Sequence, residues 1–182
     1  MKTSLKLALA TVGLALASPA ALTATDGTIG LTSTGTTVIS VTKGDGVQIS
    51  NVSDVLFGAT ATTPAPQNMD SCIYSTSGDY NVEAQSLNTN GSNFRLTDGA
   101  ATPSFINYTL QWDDTVSAAT GTPLAESTVV TGFTNAFTAD PTCGGGASGR
   151  LIVTLQGGGA GGFNQAPTGA YSDTLTLIVS PN

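Results

Sequence analysis

In "FINYTLQW", residues 105–112, the side chains Ile106, Tyr108, Leu110 and Trp112 fall on alternate positions, the period of a strand with one buried face. The same period of two returns in short stretches along most of the chain. Tyr80, Val82 and Ala84 share it in "YNVEAQS", Phe94 and Leu96 in "SNFRLT", and Leu151, Val153 and Leu155 in "RLIVTLQ". In the closing "YSDTLTLIVSPN" it joins Tyr171, Asp173, Leu175, Leu177 and Val179. Turn signals separate these stretches: "GDG" at 44–46, Thr76 to Asp79, "NTNG" at 88–91 and the glycine run at 157–162. No window carries apolar residues at spacings of three and four between helix caps. About seven to nine strands and no helix predict an all-β sandwich.

Several connections follow from this pattern. In "VQISNVSDVLFG", residues 47–58, the alternation of Val47, Ile49, Val55 and Phe57 is interrupted over 50–54, which predicts a bulge or a second short strand. "CIY" and "YNVEAQS" read as a hairpin closed at 76–79. Residues 113–127 read as a loop with a short strand after it at 128–131, and 132–149 as a long polar connection.

One alternating stretch has no neighbour to fold back on. Across "DGTIGLTSTGTTVISVT", residues 26–42, Ile29, Leu31, Ile39 and Val41 lie on one side, with Ser33 and Gly35 between them, and the other side is mostly Thr, Ser and Gly. The pattern predicts an extended strand, and no short turn pairs it with the next segment. The last strand likewise ends without a hairpin on its outer side. Long unpaired edges invite strands from other chains.

The first residues carry Lys2 and Lys6, an apolar run over 7–17 too short to span a bilayer, and small residues with Pro19. This is the pattern of a secretory signal peptide over 1–24, cut after Ala24 or, as second choice, after Ala20. The exported chain then keeps 158 residues, with Lys43, Arg95 and Arg150 against all 12 acids, a net charge of −9. Such a surface repels nucleic acid and anionic lipid. Cys72 and Cys143 both survive cleavage into an oxidising compartment, where two thiols pair. Two sulfurs without a histidine make no zinc site.

Candidate chemistry is sparse. The chain has no histidine, which removes imidazole-dependent triads and general bases, so no enzyme is expected and a hydrolase is poorly supported. Asp113 and Asp114 are adjacent, so in a strand they point to opposite faces, and they read as a solvated turn. The glycine-rich runs match neither the EF-hand spacing nor a phosphate loop, so no metal or cofactor is expected. Asn51, Asn90 and Asn107 sit in Asn-x-Ser/Thr triplets, which a Ser/Thr-rich chain produces by chance.

"CIYSTSGDYNVEAQS", "FRLTDG", "INYTLQWDD", "DPTC" and the closing "YSDTLTLIVSPN" resemble, in order and spacing, the domain shared by spore coat protein U and the pilins of archaic, Csu-type chaperone–usher pili. The resemblance covers roughly residues 47–182 and implies an immunoglobulin-like sandwich lacking one strand. A periplasmic chaperone would fill the vacancy until a neighbouring subunit's N-terminal extension replaces it at the outer-membrane usher.

On that reading 25–42 is a donor strand and 43–182 the pilin body. Ile29 and Leu31 are the main anchors, Ser33 and Gly35 fit narrower pockets, and Ile39 and Val41 lead into the subunit's own first strand. Tyr171, Leu175, Leu177 and Val179 belong to the C-terminal edge strand, which has no hairpin on its outer side. Many Csu-type subunits place a cysteine in the first strand, and "VQISNVSDVLFG" has none, which leaves Cys72–Cys143 as the one bridge. The implied role is a shaft subunit of a surface fibre for adhesion or biofilm, polymerising with identical or related subunits. The alternative is a self-contained secreted β-sandwich, a binding or coat protein with 26–42 folded into its own body.

Overall fold

The structure, a computed structural model, describes residues 25–182; the expected leader, 1–24, lies outside them. The chain divides into two compact units, with the boundary between Lys43 and Gly44. The second unit, Gly44–Asn182, holds nine strands and two single-turn 3-10 segments, Cys143–Gly145 and Phe163–Gln165. In chain order the strands are β1 (Val47–Ser50), β2 (Gln67–Ser75), β3 (Tyr80–Ser86), β4 (Phe94–Thr97) and β5 (Phe105–Asp113), then β6 (Thr122–Leu124), β7 (Val130–Phe133), β8 (Gly149–Leu155) and β9 (Leu175–Pro181).

They form two antiparallel sheets packed as a sandwich. One runs β1-β2-β8-β5-β4, with β6 also pairing β5, and the other runs β7-β3-β9. The period-two residues meet between the sheets, where Tyr80, Val82, Ala84, Ile106, Leu110, Trp112, Leu151 and Leu155 are all buried. Trp112 is fully enclosed, and its indole N–H donates to the Tyr80 hydroxyl at 3.0 Å. The Tyr80 ring lies against Phe133, and Phe94 stacks on Tyr108 with centroids 5.5 Å apart.

The expected hairpin at 76–79 is instead a crossing. β2 and β3 belong to different sheets, and the turn, with Gly78 at φ 88° and the Ser75 hydroxyl donating to the Asp79 carbonyl at 2.7 Å, carries the chain from one to the other. The physical reason is burial. Ile73 and Ser75 on one flank and Tyr80 and Val82 on the other are all fully buried on the inward parity of their strands, so the two strands face each other across the core.

Over 47–58 only β1 is a strand. Asn51 adopts φ 60°, a left-handed conformation that asparagine tolerates and that ends the ladder, while Val55 and Phe57 still pack on the core from an irregular segment. The strand expected at 128–131 lies two residues later as β7, which runs into the segment read as a polar connection, and β6 is an additional short strand in the expected loop.

Cys72 and Cys143 form a disulfide spanning 71 residues, which fastens β2 to the turn ahead of β8. Asp140 organises that turn, accepting from Thr142 N and Thr142 Oγ1, both at 2.8 Å, and from Gly144 N at 2.8 Å. Those bonds hold its carboxyl below the usual range. Two glycines lie against the buried tryptophan. A Cβ on Gly149 would overlap the Trp112 ring and press on Ile73, and one on Gly121 would overlap the Trp112 carbonyl.

Gly149→Ala is therefore expected to destabilise the fold by about 1–3 kcal/mol, the usual range for overpacking, read as a lower denaturant midpoint in Trp112 fluorescence. Cys72→Ser is expected to cost on the order of 4 kcal/mol by loop-closure entropy. Reduction of the wild type should lower the melting temperature likewise, and equal melting temperatures with and without reductant would contradict this.

Candidate functional site

An antiparallel strand offers its backbone groups alternately to its two sides. In the β3–β9 register, Ser86 faces Leu175 and Tyr80 faces Pro181. Leu87 N donates to Thr174 O at 3.0 Å, one step further along. Hydrogen bonds to β3 therefore fall on Thr176, Ile178 and Ser180. The N–H and C=O groups of Leu175, Leu177 and Val179 point away from β3, and among the described residues no strand pairs with them.

The side chains of the same three residues turn inward and pack on the core, yet they are only half-buried, whereas Tyr80, Val82 and Ala84 of β3 are fully enclosed. β1 has the same character. Gly46 O accepts from Thr76 N at 2.9 Å, which fixes the alternation, so among the described residues nothing pairs with the backbone of Val47 and Ile49 on the side away from β2, while their half-buried side chains face the core. β1 and β9, the edges of opposite sheets, approach one another. Between them runs a seam with apolar side chains beneath it and unpaired backbone along both rims.

Elsewhere main-chain bonds tie segments that flank one sheet's strands to strands of the other sheet. Thr97 at the end of β4 exchanges two backbone bonds with Ser172, each 2.9 Å. Beyond β7, Phe137 N donates to Ile73 O and Phe137 O accepts from Ser75 N, both at 2.9 Å, which ties the segment after β7 to β2.

Leu175, Leu177 and Val179 lie on the C-terminal edge strand, β9, but Tyr171 does not belong to it. It lies four residues ahead of β9, its hydroxyl donating to Pro167 O at 2.9 Å, because Ser172 is drawn to β4 and breaks the run.

The segment 25–43, taken by itself, is not the continuous strand that its alternation predicts. The chain bends over 29–32, and Thr25 and Thr36 exchange two backbone bonds of 3.0 Å. An extended segment with no partner strand leaves its backbone groups unpaired, and a single bridge is what the segment can make alone. Ile29, Leu31, Ile39 and Val41 are almost wholly exposed, and Ser33 and Gly35 are exposed as well. Ile39 and Val41 do not run into the first strand, since β1 begins only at Val47, after Gly44 and Gly46.

Asp113 is not the solvated turn residue expected. It is buried, and its carboxylate accepts from Thr115 N, Thr115 Oγ1, Ser117 N and Ala118 N at 2.7–3.1 Å. Burial pushes its pKa up, but the hydrogen bonds from Ala118, Thr115 and Ser117 together outweigh it and hold the carboxyl below the usual range. The carboxylate is spent on shaping the loop after β5. Asp114 binds elsewhere, to Thr134 N and Asn135 Nδ2.

Asp113→Asn is expected to cost on the order of 2 kcal/mol at neutral pH. A carboxyl whose folded pKa lies below the unfolded value of about 3.9 stabilises the fold above that value and loses the contribution as pH falls through the folded pKa. The gap between wild type and variant should therefore narrow on acidification below about pH 4, measured by denaturant titration across pH. No protein-family model matches the chain, and no curated protein matches it in sequence.

Proposed function

We propose that this protein is a structural subunit of a secreted surface fibre, and that it polymerises by laying the leading segment of one copy along the β1–β9 seam of the next. The observation that carries the reading is the free edge of β9, where three residues combine unpaired backbone with half-buried apolar side chains. A strand added there would supply the missing backbone partners and cover the side chains. The leading segment has the matching chemistry: Ile29, Leu31, Ile39 and Val41 on one parity, all exposed, with small Ser33 and Gly35 between. Each apolar side chain fully buried is worth about 1.5–3 kcal/mol, and each backbone bond a net 0.5–1.5 kcal/mol or so.

A contact of this kind joins two different surfaces and does not close on itself, so it propagates as a filament. The resemblance to archaic chaperone–usher pilins supplies the remainder of the reading: export through the periplasm, a chaperone that covers the seam beforehand, an usher that exchanges it for the next subunit, and a role in adhesion or biofilm.

Deletion of residues 25–36 is expected to abolish filaments while leaving the body folded, and a synthetic peptide of residues 25–42 should bind the deleted chain and raise its melting temperature. Electron microscopy and light scattering on both chains decide the matter. Abundant filaments from the deleted chain, or a full-length chain that stays monomeric and heat-resistant at high concentration, would refute the assignment.

A further inference from the structure

We propose that Asp173 is a positioning residue that clamps the start of β9 across both sheets and so holds the acceptor edge in register before any partner strand arrives; this rests on the strand-addition reading above. Its carboxylate oxygens are fully engaged. Oδ2 accepts from the Tyr108 hydroxyl of β5 at 2.5 Å and from the Ser86 hydroxyl of β3 at 2.6 Å, and Oδ1 accepts from Asn88 Nδ2 at 3.0 Å and Thr174 N at 2.8 Å. Its neighbours extend the clamp, since Ser172 is doubly bonded to Thr97 of β4 and Thr174 O receives Leu87 N. Burial first, and then the Asp173 carboxylate, hold the Tyr108 hydroxyl protonated far above the ordinary tyrosine range, so it remains a donor.

β9 needs such a device. A strand paired on both sides is fixed by two ladders, but β9 has one, and its far end is secured by Asn81 Nδ2 donating to Pro181 O at 3.0 Å. A slip of one residue would turn Leu175, Leu177 and Val179 outward and destroy the face that an added strand must cover. Fixing the edge in advance removes an ordering cost from association. The Tyr-x-Asp at 171–173, singled out in the sequence as part of the closing run, thereby gains a role. Tyr171 pins the preceding loop, and Asp173 sets where the strand begins.

The test compares full-length Asp173→Asn with full-length Asp113→Asn, whose carboxylate also takes four hydrogen bonds but does not touch β9. Hydrogen exchange at the amides of Thr176, Ile178 and Ser180 is read with the melting temperature and the rate of self-association. At matched loss of melting temperature, Asp173→Asn should lose roughly tenfold more protection at those amides, the equivalent of one charge-assisted hydrogen bond, and should associate more slowly. Tyr108→Phe, which keeps the ring and removes one donor, should fall between wild type and Asp173→Asn. Equal loss of protection in the two aspartate variants would overturn the clamp. A wild type that never self-associates would refute strand addition instead, and the exchange data would still decide whether Asp173 fixes the strand.

Discussion

Every strand has two sides of backbone to satisfy, and in β9 one side is spent on β3 while the other meets nothing among the described residues. The rest of the architecture is arranged around that fact. The two sheets are stitched together by main-chain bonds between Thr97 and Ser172, just ahead of β9, and from Phe137 to β2. On the open side β1 and β9 stand as facing edges with apolar side chains half-covered beneath them. Burial therefore grades across the core, from the complete enclosure of Trp112, Tyr80 and Val82 to the partial cover of Val47, Ile49, Leu175, Leu177 and Val179.

What the sequence discloses of this fold is the part governed by a local period. β3, β5 and β9 each place one parity in the core, and the inward residues of all three can be read directly from the alternation of apolar positions. β8 is only half legible, because Ile152 on the opposite parity is buried too, and the apolar run Leu151–Val153 hides the alternation. The disulfide is likewise legible, from a count of two cysteines and the expectation of export.

The remainder depends on contacts between distant parts of the chain. The turn at 76–79 is legible as a turn, but whether its flanks pair or face each other across the core is decided by which sheet each joins. β6, with the sequence Thr-Pro-Leu, has no period; it forms because Gly121 fits against the Trp112 backbone and Gln111 Oε1 accepts from Gly121 N. At the seam, the inward residues of β9 could be named in advance, whereas the exclusion of Tyr171 could not, since it follows from the pull of Thr97 on Ser172. The alternation of 26–42 is real in the residues, but an extended form needs a second strand to hold it.

The cross-link between Cys72 and Cys143 has a mechanical corollary. Tension applied between the N- and C-terminal ends passes from one sulfur to the other and bypasses the intervening chain, so the 71-residue separation it spans cannot be drawn out however far the outer strands are peeled. At about 3.3–3.6 Å per extended residue, some 240 Å of contour length is withheld from stretching. A molecule under load would yield at its edges and then stiffen abruptly, with β3 to β7 shielded inside the covalent loop.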